Sequence, residues 1–330
     1  MSNLDLLSVG DANLDAFITP SESESLCDIN TKECLIAFSY ADKIPVKNLE
    51  FSVGGNAANN LVGTKRLGVN SGAVLTLGDD STGVQIIEKL RQESVDLTYV
   101  IQQPSTLSNF NMVISYTGER TIFTYHAPRS YEFPVNLPKV PWMYLTSMGE
   151  SFKPFYNHIT EWLVKNPETK LSFNPGTWQL RGGIDAIENV FKLSTLVFVN
   201  KQEAEKLTGF EAKDKVTKEL LMALSGLGPK IAVITDGGNG SFVFDGNRFL
   251  HCGILPVDAY ERTGAGDAFG SGFLSAVIKG KTLEEALIWG TVNSASVIGY
   301  TGAQRGLLTE DDMSTWVDRA KSSGVMVEEM

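Results

Sequence analysis

The chain has 330 residues, of which 42% are hydrophobic and 20% are charged. This composition is typical of a folded protein with a sizeable core and excludes disorder of the whole chain. The formal net charge is -11, which attracts neither nucleic acid nor anionic membranes, so we expect small-molecule partners.

Several absences in the sequence point to a cytoplasmic protein. The N-terminus has no basic start followed by an apolar stretch, as a signal peptide would, and no apolar run reaches transmembrane length. Cys27, Cys34 and Cys252 form no CxxC pair and have no histidines at metal-ligand spacing. We therefore predict three free thiols and no membrane partner.

Short β-branched runs alternate with helical patterns along most of the chain. The predicted core strands are residues 4–10, 72–77, 142–147, 170–174, 196–200 and 231–235. The predicted helices are residues 56–67, 82–93, 154–164, 215–227, 268–279 and 283–298. This order predicts an α/β fold with a doubly wound, mostly parallel sheet flanked by helices, formed as one domain over residues 1–330.

Two segments, residues 13–50 and 105–126, interrupt the alternation. Within the second, residues 109–116 and 120–125 flank a turn at 117–119, as the strands of a hairpin do. We predict that both segments form a small β-sheet over the ligand-binding edge of the main sheet and act as a lid. The alternative is a simple β extension of the sheet edge.

Polar residues follow the first predicted strand in the run Gly10-Asp11-Ala12-Asn13-Leu14-Asp15. The carboxyl ends of parallel strands form the ligand-binding edge of such sheets, and a carboxylate there can hold two hydroxyl groups at once. Asn13 and Asp15 are therefore candidate substrate-binding residues.

A second candidate site is the run Ser52-Val53-Gly54-Gly55-Asn56-Ala57-Ala58-Asn59 ahead of a predicted helix. Gly54 and Gly55 allow a ligand to approach the backbone, and Asn56 and Asn59 can donate to and accept from sugar hydroxyls. A tight turn at a helix start is the structural alternative.

The strongest signal is the run from Thr263 to Phe273, in which a glycine-rich turn leads into a helical pattern. Small residues at Gly264, Ala265 and Gly266 let backbone N–H groups and the positive end of the helix dipole converge on an anion such as a phosphoryl group. No GxxxxGK[ST] run is present, and residues 237–240 lack the spacing of a dinucleotide fingerprint, which argues against Walker-type NTPases and dehydrogenases.

Asp267 follows this turn and can take a proton from an attacking hydroxyl while the amides hold the γ-phosphate. Its alternative role is the N-cap of the helix, which aspartate often fills. Either role places Asp267 at the start of the helix.

Together, these runs resemble the ribokinase-like family of carbohydrate and nucleoside kinases. Residues 54–59 are similar to the family's N-terminal signature, and residues 263–267 are similar to its C-terminal signature. The resemblance implies ATP and Mg²⁺ as cofactors and an alcohol as phosphoryl acceptor, bound by Asn13, Asp15, Gly54, Gly55, Asn56 and Asn59. It also implies Asp267 as general base and the amides of 264–267 as the anion site.

The same resemblance extends to the nucleotide side. Asn200-Lys201-Gln202-Glu203 is similar to the family's NxxE motif, which implies that Glu203 binds Mg²⁺ through water; Mg²⁺ keeps several waters in most sites. An exposed first-turn glutamate is the alternative. The remaining ATP-binding residues implied are Asn200, Thr235, Gly237, Gly240 and Asn293. For Asn293, a position in a helix core is the alternative.

Some positions depart from the family pattern. Glu261-Arg262 stands where many members have Asp-Thr at a monovalent-cation site, which argues against K⁺ activation. Ribokinase has a carboxylate near the position of Gly149, so strict ribose specificity is not implied. His126 and Arg129 are candidates for substrate or phosphate contact, with simple solvation as the alternative.

The sequence therefore predicts an ATP-dependent sugar kinase acting on ribose, fructose or a similar carbohydrate. A nucleoside kinase of the same family is the alternative, and a non-catalytic sugar-binding regulatory protein on this fold is a third interpretation. Sheets with exposed edges pair readily, so a homodimer formed through the lid is also predicted.

Overall fold

The computed structural model describes residues 4–21, 24–28, 33–116 and 119–330, so two residues of the turn predicted at 117–119 lie outside it. The strands are β1 Leu6–Gly10, β2 Asn13–Pro20, β3 Glu24–Asp28, β4 Glu33–Ala37, β5 Val46–Gly54, β6 Ser71–Gly78, β7 Ile101–Gln103, β8 Asn109–Tyr116, β9 Glu119–Tyr125, β10 Trp142–Leu145, β11 Lys170–Phe173, β12 Ser194–Asn200, β13 Ile231–Thr235, β14 Ser241–Phe244, β15 Phe249–Cys252 and β16 Val327–Glu329.

The α-helices are α1 Asn56–Arg66, α2 Ser81–Gln92, α3 Phe152–Lys165, α4 Thr177–Arg181, α5 Glu188–Leu193, α6 Lys201–Thr208, α7 Lys218–Ser225, α8 Ala265–Ile278, α9 Leu283–Val297 and α10 Glu310–Ser322. Single 3-10 turns cover Ile184–Ala186 and Gly237–Asn239. Within the described ranges, none of these helices combines the length and apolar character needed to cross a bilayer.

The main sheet has the strand order β16-β15-β14-β13-β12-β11-β10-β1-β6-β7. The strands from β7 to β13 are parallel, whereas β14, β15 and β16 pair antiparallel at one edge. Helices pack on both faces, because strands such as β1 and β6 are buried along their whole length and need cover on each side. The predicted α/β fold with a mostly parallel sheet is confirmed.

Strand β1 lies at the point where the order of the sheet reverses. It pairs with β6 on one side and with β10 on the other. The chain runs from β1 toward β6 and β7, and from β10 toward β11 in the opposite direction. Open α/β sheets bind ligands in the crevice formed at such a point. The residues that follow Gly10 therefore lie where a ligand site is expected.

A separate small sheet has the order β5-β2-β8-β9, and we call these four strands the lid sheet. In the row across β2, Asp15 lies opposite Ser52 and Asn111. This face turns toward the main domain, because the Oγ of Ser52 lies 2.8 Å from where a Cβ of Gly302 would be. Strands β3 and β4 form a further two-stranded sheet.

The start of α8 differs from the prediction. The helix begins at Ala265 rather than at residue 268, because Gly264 adopts φ 78° and serves as the N-cap. Asp267 therefore lies in the first turn of α8 and is not the cap, which removes the structural alternative of the sequence analysis. A Cβ at position 264 would lie 2.3 Å from the Cβ of Ala303, so the turn requires glycine.

Helices α8 and α9 pack closely through glycine. A Cβ added at Gly272 would lie 2.7 Å from the backbone oxygen of Trp289 and 3.1 Å from the Cβ of Asn293. Gly270 is in the same helix, but a Cβ added there meets no atom within 4 Å. The two positions differ in packing and share the same helical backbone.

We expect Gly272→Ala to lower the free energy of unfolding by about 1–3 kcal/mol, because the added methyl group overpacks the helix contact. Gly270→Ala is the matched control and should raise that free energy by about 0.5–1 kcal/mol through helix propensity. Urea denaturation of both variants measures the difference. Equal effects in the two variants would contradict the packing argument.

Candidate active site

The N-terminus of α8 is built to present backbone N–H groups. Gly264, its N-cap residue, offers no side chain for a capping hydrogen bond. Gly266 has open space where a side chain would be. The first-turn amides of a helix lack intrahelical partners and carry partial positive charge. This end of α8 therefore suits a negatively charged group.

The carboxylate of Asp267 is fixed by two asparagines of α1. Asn56 Nδ2 donates to Oδ1 at 3.1 Å, and Asn59 Nδ2 donates to Oδ2 at 2.7 Å. Burial raises the pKa of Asp267 above its ordinary value, while both hydrogen bonds act in the opposite direction. The predicted base and two predicted acceptor-binding residues thus meet in one hydrogen-bonded group.

Helix α1 can present these asparagines because its N-cap residue is Gly55, whose φ is 91°. A Cβ there would lie 2.8 Å from the Cα of Ala12 and the backbone oxygen of Asp11. The chain after β1 and the start of α1 therefore touch backbone to backbone. The close approach requires glycine and brings the two runs that are predicted to bind the substrate to one place.

Three residues that the sequence analysis did not identify support this group. Gln304 Nε2 donates to Asn59 Oδ1 at 3.1 Å. Asn174 Oδ1 accepts from Asn56 Nδ2 and from the hydroxyl of Tyr144, each at 3.3 Å. The position of Asn174 at the carboxyl end of β11 was a sequence signal that could have identified it.

Asp15 is the centre of a second group under the lid sheet. Asn111 Nδ2 donates to its Oδ1 at 2.8 Å, and Asn13 Nδ2 donates to the same oxygen. Burial raises the pKa of Asp15 to about 6, and the nearby charge of Glu261 acts in the same direction. Asp15 Oδ2 lies 2.4 Å from where a Cβ of Gly54 would be, so the absent side chain makes room for the carboxylate.

A third buried carboxylate belongs to Asp11, which was not predicted as a site residue. The hydroxyl of Tyr131 lies 2.9 Å from Asp11 Oδ2 and donates to this carboxylate, while Gly149 N donates to the Tyr131 oxygen at 2.6 Å. Burial raises the pKa of Asp11 to about 6. A carboxylate therefore lies near Gly149, although it comes from a different strand end.

On the side predicted to bind the nucleotide, Asn200 and Glu203 form a reciprocal cap at the start of α6. Asn200 N donates to Glu203 Oε2 at 2.8 Å, and Glu203 N donates to Asn200 Oδ1 at 2.9 Å. Burial raises the pKa of Glu203, and the negative charge of Asp267 adds to the rise. The cap uses Glu203 Oε2 and Asn200 Oδ1 and does not use Glu203 Oε1 or Asn200 Nδ2.

Thr235 ends β13 and is paired with Asn200. Gly237 and Gly240 shape the following turn with φ values of 50° and 88°. A Cβ at Gly240 would lie 2.1 Å from the backbone oxygen of Cys252, so this position also requires glycine. The turn is therefore next to the NxxE segment at the sheet edge.

Asn293 differs from the other predicted nucleotide-binding residues. It is fully buried, with Nδ2 donating to Ala268 O at 2.8 Å and Oδ1 accepting from Leu308 N at 2.9 Å. These bonds connect α9 to α8 and to the chain before α10. The structure gives Asn293 an internal role, with no polar group directed to a nucleotide.

Glu261 links the loop before α8 to the lid sheet. Its Oε1 accepts from Thr263 N at 2.8 Å and its Oε2 accepts from Gly302 N at 3.1 Å. Arg120 of β9 forms an ion pair with the same carboxylate at 3.3 Å. The departure from the family pattern at Glu261 therefore coincides with a contact across the cleft.

Arg129 forms hydrogen bonds within the protein and is not simply solvated. Its guanidinium donates to the backbone oxygens of Thr76 and Leu107 and to Asn109 Oδ1. These bonds fasten the root of β8 to β6 and use the donors that a phosphate would need. His126 is half-buried, and burial lowers its pKa.

Comparisons with known proteins agree with this geometry. Residues 24–310 match the model of the pfkB family carbohydrate kinases. An ATP-dependent 6-phosphofructokinase from Thermoanaerobacterium thermosaccharolyticum is 27% identical over 300 residues, which cover 87% of this chain and 91% of that protein. A nucleoside kinase from Methanocaldococcus jannaschii is 25% identical over 295 residues, which cover 82% and 89%.

The fold is similar to that of solved ribokinases. The structure of Arabidopsis thaliana ribokinase complexed with ribose and ATP has a TM-score of 0.78 at 20% identity, covering 96% of this chain and 99% of that chain.

Within the described ranges, no group of three or more His, Cys, Asp or Glu side chains could hold a metal ion.

The raised pKa of Asp15 gives a pH-dependent stability. Between about pH 4 and about pH 6, Asp15 is protonated in the native state but ionised in the unfolded chain. The native state is therefore more stable at low pH, and this stabilisation is lost as the pH rises through about 6. We expect Asp15→Asn to raise the free energy of unfolding by about 1–3 kcal/mol at neutral pH, with no gain at about pH 4.

Thermal denaturation at several pH values measures this effect, with the exposed Asp318→Asn as the matched control. A gain of Asp15→Asn that is the same at low and neutral pH would contradict the burial argument.

Proposed function

Because this chain belongs to the pfkB family of carbohydrate kinases, whose members transfer phosphate to an alcohol group, we propose that it transfers the γ-phosphate of ATP to a hydroxyl of a small carbohydrate such as ribose or fructose. Asp267 is the proposed general base. The observation that carries the proposal is the pair of hydrogen bonds from Asn56 and Asn59 to Asp267, which joins the base to the acceptor side of the cleft.

The raised pKa of Asp267 supports its role as base. A buried carboxylate is a stronger proton acceptor than an exposed one, and two amide donors hold it in one orientation. The same donors favour the charged form, which is the form that accepts a proton. Asp267 can thus remove the proton of an acceptor hydroxyl as that oxygen attacks.

The backbone amides of Gly264, Ala265, Gly266 and Asp267 form the proposed anion site. They lie at the positive end of α8, where no described side chain forms a capping hydrogen bond, and Ala265 N also donates to Arg262 O at 3.3 Å. Phosphoryl transfer requires mainly positioning and electrostatic stabilisation, and amides held in place supply both without reorganising. The base and the anion site then act on the attacking oxygen and the transferred group from one helix turn.

The acceptor is held by Asp15 with Asn13, and by Asn56 and Asn59 on α1. Gly54 leaves space for the carboxylate of Asp15, and Gly55 leaves space for the backbone of Asp11 and Ala12. All these groups lie at the crevice where the sheet order reverses at β1. The lid sheet would cover this crevice and exclude water that competes with the acceptor for phosphate.

Asn200, Thr235, Gly237 and Gly240 form the proposed ATP site, with Glu203 as a Mg²⁺ ligand acting through water. Two observations support a Mg²⁺ site at Glu203. The α6 cap uses only Oε2 of this residue, and the negative charge of Asp267 acts on Glu203. When bound, Mg²⁺ neutralises phosphate charge. Potassium is the less supported cofactor, because Glu261 already receives two amides and Arg120.

A nucleoside kinase is the second candidate function. The similarity to the Methanocaldococcus jannaschii nucleoside kinase favours it, and the groups around Asp15 suit a free sugar as well as a nucleoside ribose. A non-catalytic sugar-binding protein is the third, and the buried, hydrogen-bonded Asp267 argues against it. ATP turnover over a panel of sugars and nucleosides, with Mg²⁺ and with or without K⁺, distinguishes the three.

We also propose a cytoplasmic homodimer formed through the lid sheet. One row of its outer face consists of Ala16, Phe51, Met112 and Phe123, which are direct cross-strand neighbours. The three larger side chains are 54%, 42% and 60% exposed. An apolar row of this kind on a monomer is unusual and suits burial against a second copy.

We expect Asp267→Asn to reduce acceptor-dependent ADP formation by about 100-fold or more, because the amide cannot take the proton. ATP binding, measured by calorimetry, should be largely retained, because the backbone amides remain. The exposed Asp318→Asn is the matched control. Near-normal turnover of Asp267→Asn would falsify the assignment of the base.

For the dimer, we expect Phe51→Asp to convert the protein to monomer, because it places a charge within the apolar row, at its end on β5. Val135→Asp is the control, since Val135 is 95% exposed and lies outside the lid sheet. Sedimentation at micromolar protein concentration measures the change. A monomeric wild-type protein under these conditions contradicts the proposal.

A further inference from the structure

Asn111 on β8 has a carbonyl oxygen whose hydrogen-bonding capacity is unused. The residue lies opposite Asp15 on the face of the lid sheet that turns toward the main domain. Its Nδ2 donates to Asp15 Oδ1, whereas its Oδ1 is buried and has no hydrogen-bond partner among the described residues. The residue was not among the predicted site residues.

The orientation of this side chain follows from its partner. If the amide were reversed, the carbonyl oxygen of Asn111 would lie 2.8 Å from a carboxylate oxygen of Asp15, and two acceptors would face each other. In the observed orientation, Oδ1 of Asn111 is therefore the atom that has no partner among the described residues. An unpaired buried acceptor is unfavourable, so a donor from a ligand is stabilising there.

Asp15 presents a second acceptor next to it. Both amides that reach this carboxylate, from Asn13 and Asn111, donate to Oδ1. The other oxygen, Oδ2, occupies the space above Gly54 and receives no amide from these two residues. Asp15 Oδ2 and Asn111 Oδ1 thus lie on one face of the lid sheet, on side chains that are hydrogen-bonded to each other.

We propose that Asn111 is a specificity-determining residue, whose Oδ1 accepts a hydrogen bond from the acceptor hydroxyl adjacent to the one that Asp15 holds. The site then selects acceptors with a vicinal diol. Two acceptors on joined side chains match two donors on neighbouring carbons, and a molecule lacking either hydroxyl leaves one acceptor buried and unpaired. The inference rests on the proposed kinase function and extends it to the class of acceptor.

The test compares each acceptor with its monodeoxy analogues. D-ribose, D-fructose and adenosine are assayed with ATP and Mg²⁺, together with analogues that lack one hydroxyl. For the wild-type protein we expect removal of either diol hydroxyl to lower kcat/KM by about 10- to 100-fold. In Asn111→Leu, kcat/KM for the full acceptor should fall by a similar factor. In this variant, removal of one of the two diol hydroxyls should lower kcat/KM by less than about 3-fold.

Asn111→Ala removes the same carbonyl without adding bulk and should give the same pattern. Asn157→Leu, at an exposed position of α3, is the matched control and should leave every ratio unchanged. An unchanged deoxy penalty in both Asn111 variants overturns the proposal, and so does a wild-type protein that accepts all analogues equally. In either case the Asn111 oxygen would bind only an internal water.

The proposed function fails separately. If no acceptor of the panel supports turnover, calorimetric binding of the same acceptors and analogues still tests the diol contact. Weaker binding of one deoxy analogue to the wild-type protein, with the difference absent in Asn111→Leu, supports the contact without catalysis. Equal binding of all analogues to both proteins overturns it.

Discussion

The hydrogen bonds from Asn56 and Asn59 to Asp267 are the interaction on which the site depends. They join the first turns of α1 and α8, two helices that are far apart in the sequence. Each helix can begin where it does only because a glycine with positive φ precedes it and touches another backbone segment or small side chain. The chemistry at the cleft therefore rests on two steric requirements in the fold.

The cleft collects several carboxylates whose pKa values are raised by burial. Asp11, Asp15, Glu203 and Asp267 all show this direction. In each case neutral donors, from asparagine, tyrosine or the backbone, hold the carboxylate and act against the rise. Such groups give a cleft that is polar but rich in negative charge, which suits hydroxyl groups and cations. In the proposed function, phosphate binding then relies on the amides of α8 and on a metal ion.

Much of the fold could be predicted from the sequence, because the buried parallel strands are apolar runs with regular helical patterns between them. The antiparallel edge formed by β14, β15 and β16 was missed, since strands of three or four residues give too short a pattern. The start of α8 was placed three residues late, because Gly264 and Gly266 weaken the helical pattern that they begin.

For the site, glycine-rich runs identified the helix starts and the residues next to them. The structure brings Asn56, Asn59 and Asp267 together, as the resemblance implied. It also shows Asn111, Tyr131 and Gln304, which no local pattern marks, because their roles come from contacts between distant segments. Asn293 shows the reverse case, in which a polar residue in a suggestive segment is used inside the core.

Two arginines hold the hairpin of β8 and β9 at its two ends. Arg129 fastens the root of β8 to the main sheet through backbone oxygens, while Arg120, on β9 near its turn with β8, meets Glu261 through an ion pair. The hairpin arm between them is about 20 Å long at the usual rise per residue. A small rotation at the fixed root therefore gives a large displacement at the tip, and dissolved salt, which screens ion pairs at partly exposed positions, weakens the tip contact first.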